Sequence, residues 1–156
     1  MTMRTPLSRR SMLLLTAAVA VVDGPASAVP ALSIRVYKDP QCGCCTAWVD
    51  RLRSAGFTAT VEERGDLEEL KTSLGVPDDL TSCHTGVIAG YAIEGHVPPA
   101  DIKRLVAARP VAKGLAVPGM PINSPGMEIA GAPDEPYTVW LFMADGTRTA
   151  FARHGA

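Results

Sequence analysis

Apolar and polar residues alternate over short stretches of this chain, and in other stretches apolar residues recur every three to four positions. Alternation predicts strands, the wider spacing predicts helices, and Gly or Pro marks where each element ends. The predicted elements are strand 33–37, helix 44–55, strand 57–63, helix 66–74 with Asp66 as N-cap, strands 87–92 and 93–97, and helix 100–108. The pattern therefore predicts an α/β fold with the element order β-α-β-α-β-β-α.

The last third of the chain has a different composition. Residues 113–136 contain five prolines and four glycines, which predicts an irregular Gly/Pro/Met loop. Residues 137–143 and 147–153 then alternate around Asp145-Gly146, which is a strong turn signal. We therefore expect the chain to finish in a β-hairpin.

The first 28 residues have the pattern of an export signal. Three arginines precede an apolar stretch, residues 12–22, which is short for a bilayer span, and Ala26-Ser27-Ala28 is the small-residue pattern that signal peptidase cuts. Residues 8–13 also resemble a twin-arginine signal. The alternative is a short N-terminal membrane anchor. Cleavage near Ala28 predicts a periplasmic protein with no remaining membrane attachment, in which residues 29–156 form a single domain.

The charge balance argues against some partners. The 15 Lys and Arg nearly balance the 16 Asp and Glu, and no basic run is present, so neither nucleic acid nor an anionic membrane surface is an expected partner. The four cysteines are too few and too closely grouped to be the disulfide framework of a small secreted domain. Their grouping in an exported chain therefore needs a chemical explanation.

Three of the four cysteines lie in Cys42-Gly43-Cys44-Cys45, and the fourth, Cys83, directly precedes His84. Cys42 and Cys45 have the spacing of a redox pair, which leaves Cys44 unpaired. The alternative is a metal site, because soft metal ions are readily shared among several thiolates.

The cysteine loop falls between the first predicted strand and helix, as in a thioredoxin-like domain, and a helix N-terminus stabilises thiolates. Thioredoxin-like oxidoreductases usually carry a proline just before the third strand. Residues 81–85 contain none, so the fold would place Cys83 there, facing the other three thiols.

Histidine and methionine provide further candidate ligands. His84 is the better histidine candidate because it adjoins Cys83, whereas His96 is as well explained by a structural role. Met120 and Met127 lie in the Gly/Pro-rich loop, where thioethers are able to bind copper(I) or to cover the cluster as an apolar lid. His154, near the end of the chain, is predicted to be a solvated tail residue.

Several thiolates with imidazole nearby suit zinc, copper(I) or an iron–sulfur cluster. Structural zinc prefers two paired-cysteine knuckles, and iron–sulfur clusters usually use separately placed cysteines. Adjacent thiolates are able to bridge several copper(I) ions, so copper is favoured. The alternatives are a thiol–disulfide oxidoreductase, with Cys42 attacking and Cys45 resolving, and a structural zinc domain.

Four stretches, residues 37–45, 82–85, 94–98 and 114–121, resemble the CopG-like family of small exported, predicted metal-binding proteins. The resemblance implies a thioredoxin-like periplasmic domain, associated with copper resistance, whose cysteines hold copper, with other periplasmic copper-handling proteins as partners. It also leaves open a redox activity on the metal. The residues that match the family are Cys42, Cys44, Cys45, Cys83, His84 and His96, together with Met120 and Met127 in the Gly-Met motifs. Asn123 stands where a glycine is expected, and asparagine tolerates the positive φ that a turn requires.

Overall fold

The computed structural model describes residues 32–155, and the predicted signal peptide lies outside them. The strands are β1 (Ser33–Lys38), β2 (Thr58–Glu63), β3 (His84–Ile88), β4 (Tyr91–Glu94), β5 (Gly114–Ala116), β6 (Tyr137–Phe142) and β7 (Arg148–His154). The helices are α1 (Gly43–Ser54), α2 (Leu67–Leu74) and α3 (Pro99–Ala108), with a 3₁₀ turn at Asp78–Leu80. The predicted order of the first seven elements is confirmed.

All seven of these strands form one mixed sheet in the order β2-β1-β3-β4-β5-β6-β7. β1 pairs with β2, and β4 with β5, in parallel, and the other pairs are antiparallel. The result is a mixed α/β fold. Because β3 pairs with β1 in antiparallel orientation, the start of β3 lies beside the end of β1, where the cysteine loop begins.

The two faces of the sheet bury different clusters. On one face, Trp48 and Leu52 of α1 and Ile102 and Leu105 of α3 belong to the main apolar core. On the other face, Val76, Leu80 and Phe142 belong to a smaller cluster. Side chains of successive strand residues point to opposite faces, so β4 contributes Ile93 to the main core and its two neighbours to the second face.

The first hairpin differs from the prediction. The sequence pattern indicated strands 87–92 and 93–97, but the hairpin joins β3 to β4 through a turn at Ala89-Gly90. Both turn residues have positive φ, 50° and 86°, as a tight two-residue hairpin turn requires. Alanine rarely adopts this conformation, so Ala89 gave no turn signal. The predicted hairpin was therefore placed too far along the chain.

The irregular loop also contains a strand that was not predicted. β5 has three residues and pairs with both β4 and β6, which extends the sheet. Gly114 makes this approach possible, because a Cβ there would lie 1.8 Å from the Ala92 carbonyl oxygen. The C-terminal hairpin is confirmed, with Gly146 at φ 81° in its turn. Within residues 32–155, no helix has the length and apolar character needed to cross a membrane.

Candidate metal centre

The cysteine loop lies where β1 gives way to α1. Cys42 is the N-cap of α1, and its sulfur accepts a hydrogen bond from the Cys45 backbone N–H at 3.3 Å. The first turn of α1 has no acidic residue, so the partial positive charge of the helix N-terminus acts on the cysteines without opposition from a carboxylate. The predicted placement of these thiols at a helix N-terminus is therefore correct.

Four cysteine sulfurs converge at this point, all within 4.8 Å of one another. Cys42 and Cys45 are joined in a disulfide bond, and Cys44 and Cys83 are free thiols. The Cys44 sulfur lies 3.4 Å from that of Cys42 and 3.8 Å from that of Cys83. Cys83 does face the other three cysteines, as the missing proline had suggested, and Cys44 is the central member of the group.

Two buried imidazoles adjoin Cys83 and form a second group of candidate ligands with it. The Cys83 sulfur lies 3.3 Å from His84 Nδ1 and 3.4 Å from His96 Nε2. The two rings meet edge to face, with centroids 5.0 Å apart, and His84 also packs on Trp48 at 4.3 Å. The antiparallel pairing of β3 with β4 brings the two histidines together.

The protein orients the two rings differently. His96 Nδ1 lies 2.9 Å from the Pro125 carbonyl oxygen, which can only accept, so Nδ1 carries the proton and Nε2 presents a lone pair towards Cys83. His84 Nε2 is buried and has no hydrogen-bond partner among the described residues. Buried polar atoms without a partner are uncommon, and one beside a thiol cluster fits a ring held next to a metal site.

Burial sets the ionisation of these groups. It lowers the pKa of His84 well below the usual value, with the charges of His96 and Lys71 as smaller causes, and it also lowers the pKa of His96. Both rings are therefore neutral at pH 7 and able to act as ligands. Burial, assisted by the neighbouring Cys44, raises the pKa of Cys83 to about 11, so a metal that binds the Cys83 thiolate must displace a proton.

The two methionines differ in their relation to the cluster. The Met120 sulfur lies 3.9 Å from that of Cys44, and the residue is 51% exposed, so it stands at the mouth of the site. Met127 is half-buried, and in the part of the chain that the structure describes its sulfur makes no hydrogen bond. Its backbone closes a turn in which Asn123 has φ 63°, so the turn expected at this asparagine is present.

His154 is not the solvated tail residue that the sequence suggested. Its Nε2 lies 2.7 Å from Asp101 Oδ2, and its ring stacks on Tyr137. The last strand therefore ties the chain end to α3.

Sequence reasoning also missed two buried charged residues beside the site, Lys71 and Glu94. The available signal was the position of Glu94, a single carboxylate directly after the apolar residues of β4.

The fold and the site define an α/β protein with a thiol-rich, imidazole-flanked cluster that is suited to a soft metal. A family model described as "Protein of unknown function, DUF411" matches residues 80–127. Two solved structures are similar to the chain, "Copper resistance protein copG- Form 1" and "Copper resistance protein copG- Form 2". They are 42% and 43% identical, with TM-scores of 0.76 and 0.74.

The first alignment covers 81% of this chain and 99% of the solved one, and the second covers 78% and 97%. The chain therefore belongs to the CopG copper resistance protein family. No curated protein sequence matched it. The resemblance stated from the four motifs is confirmed at the level of the family.

Proposed function

We propose that this chain is a periplasmic copper-binding protein that holds copper(I), as more than one ion, in copper resistance or homeostasis. The observation that carries the proposal is the convergence of all four cysteine sulfurs on one point, with the Met120 sulfur 3.9 Å from Cys44. Thiolate and thioether are the ligands that copper(I) prefers, and neutral imidazole also suits copper. The copper resistance proteins that the chain resembles support the choice of metal.

The proposal extends to the setting of the site. Strands β2-β1-β3-β4 with α1 on one face support a thioredoxin-like domain whose cysteine loop has become a metal site. The export signal in residues 1–28 supports a periplasmic location. His84, His96 and Met120 would complete the ligand set around the cysteines. Other copper-handling proteins of the same compartment would deliver or receive the ion.

The disulfide makes copper loading depend on the redox state. While Cys42 and Cys45 are joined, only Cys44 and Cys83 offer thiolates. Two electrons and two protons from a dithiol reductant open the bond and release two further thiols. We therefore expect reduced protein to bind more copper(I) per chain than protein with this disulfide intact.

Metal analysis tests the proposal. Protein loaded with copper(I) under reducing conditions should hold more than one copper per chain, and Cys44→Ser should reduce that number sharply because Cys44 lies between Cys42 and Cys83. Met143→Leu is the control, since it replaces a sulfur in the residues just after β6 and should leave the load unchanged. One zinc per chain and no copper would contradict the proposal.

A second function is favoured by the disulfide itself. A Cys42–Cys45 bond at a helix N-terminus is the arrangement of a thiol–disulfide oxidoreductase. That function requires Cys42 and Cys45 but not Cys44. Rapid reduction of insulin by the wild type and by Cys44→Ser alike, without copper retention, would favour the oxidoreductase.

A further inference from the structure

Lys71 of α2 and Glu94 at the end of β4 form an ion pair that is almost completely buried. Their side chains are 2% and 0% exposed, and Lys71 Nζ donates a hydrogen bond to Glu94 Oε1. Burial of two charges is costly, and an apolar pair of similar size often stabilises a protein as well or better. The pair therefore calls for an explanation in the contacts that it makes.

Those contacts converge on the residue that precedes Cys83. Lys71 Nζ donates to the Ser82 carbonyl oxygen at 2.7 Å, and the Ser82 backbone N–H donates to Glu94 Oε1 at 2.7 Å. The other oxygen of Glu94 accepts from Thr85 Oγ1 at 2.6 Å. The ion pair thus holds the chain on both sides of the Cys83-His84 dipeptide.

Ser82 also links the Lys71–Glu94 pair to the remaining candidate ligands. Its hydroxyl donates to the Gly119 carbonyl oxygen at 2.6 Å, next to Met120. It also packs against Gly95, which precedes His96, so closely that a Cβ on Gly95 would lie 2.7 Å from the Ser82 Cβ. The backbone segments that carry Cys83, His84, His96 and Met120 therefore meet at Ser82.

We propose that the buried Lys71–Glu94 pair is a positioning device that holds Ser82, and through it sets the geometry of the ligands Cys83, His84 and His96. Neither charged group contacts the metal ligands' side chains through a hydrogen bond, so both act through the backbone. This inference rests on the proposed copper function for its metal readout. Partners that orient ligands in this way typically contribute about 10- to 100-fold to metal affinity.

The first test compares Lys71→Met with Leu105→Ala. Lys71→Met removes the charge and both hydrogen bonds of the ammonium group while keeping much of the side-chain length. Leu105→Ala creates a cavity in the apolar core of α3 and serves as a control of lowered stability. We expect Lys71→Met to lose about tenfold or more in copper(I) affinity against a chromophoric chelator, and to change the thiolate-to-copper absorption. Leu105→Ala should lose melting temperature but keep both copper properties.

A second readout needs no copper. In metal-free protein with the Cys42–Cys45 disulfide intact, Cys83 should be alkylated several-fold faster in Lys71→Met than in the wild type or Leu105→Ala. Mass spectrometry of the labelled peptide measures this rate. Unchanged labelling overturns the positioning role whatever the copper result, and absence of copper binding in the wild type overturns the proposed function alone.

A double variant covers the case in which Lys71→Met does not fold. Lys71→Met with Glu94→Gln leaves no unpaired buried charge, and the amide oxygen still accepts from the Ser82 N–H. We expect this variant to fold and still to show faster Cys83 labelling, because the Ser82 carbonyl has lost its donor. Labelling and copper affinity equal to those of the wild type would overturn the proposal.

Discussion

Replacement of Gly126 by alanine tests how the loop after β5 docks on α1. Gly126 has φ 90°, and a Cβ there would lie 2.6 Å from the Trp48 backbone nitrogen, 2.9 Å from its Cα and 3.1 Å from the Cys44 carbonyl oxygen. All three atoms belong to the helix backbone, which is unable to move aside cheaply. The loop must therefore shift away from α1 in the variant.

Gly131 of the same loop provides a matched control. It has φ 80°, and no atom lies within 4 Å of the position that a Cβ would take. Alanine at such a φ costs about 1–2 kcal/mol, which the less flexible unfolded chain offsets by about 0.4–1 kcal/mol. Gly131→Ala should therefore destabilise the protein by about 1 kcal/mol.

Gly126→Ala carries the same backbone cost together with the clash. Overpacking against atoms that cannot move typically adds about 1–3 kcal/mol, which gives about 2–4 kcal/mol in total. At about 4 °C per kcal/mol for a domain of this size, the melting temperature should fall by about 4 °C for Gly131→Ala and about 8–16 °C for Gly126→Ala. Thermal unfolding followed by circular dichroism measures both values.

The same displacement should reach the candidate metal site. Gly126 follows Pro125, whose carbonyl oxygen orients His96 at 2.9 Å. We expect Gly126→Ala to weaken copper(I) retention as well as stability, whereas Gly131→Ala should affect stability alone. Equal melting temperatures and equal copper retention in the two variants would refute the docking of this loop on α1.

Three further predictions concern the candidate ligands. Burial lowers the pKa of His84 in the folded protein, so the unfolded chain binds a proton more readily as the pH falls below about 6.5. The free energy of unfolding should therefore decrease as the pH is lowered through this range. Urea unfolding of His84→Leu should therefore depend less on pH over this range than that of the wild type, and equal slopes would contradict the reasoning. The raised pKa of Cys83 predicts that copper binding releases its proton, so affinity should rise about tenfold per pH unit for that proton, and Cys83→Ser should release one proton fewer in calorimetry. Met120→Leu should speed copper(I) loss to a chelator more than Met127→Leu, because the Met120 sulfur is the one that lies 3.9 Å from Cys44; equal rates would exclude this role.

Individual elements show how much of the fold the local sequence pattern predicted. The helix that follows the cysteine loop was predicted within a residue of its bounds, because its start and its Gly56 stop are local signals. The predicted N-cap at Asp66 has the right position, but its carboxylate pairs with Arg64 and makes no capping hydrogen bond. The first hairpin was predicted at the wrong position. Its turn residue Ala89 adopts a positive φ imposed by tight strand pairing, and alanine is not a residue type that signals such a turn.

The sequence by itself determined which candidate ligand side chains are present and that three of the cysteines lie at the start of a helix. The Cys42–Cys45 loop at a helix N-terminus, the four family motifs and the turn at Asn123 all depend on residue type and near neighbours. Such features are predictable from sequence because helix caps and turns depend on only a few neighbouring residues.

Only the tertiary structure decided which candidate ligands meet. Cys44 and Cys83 are 39 positions apart and come within 3.8 Å because β3 pairs with β1. His96 receives its proton position from Pro125, 29 positions away, and a buried Lys71–Glu94 pair anchors the residue before Cys83. Strand order and register set these distances, and both depend on how the whole core packs rather than on any local stretch of sequence.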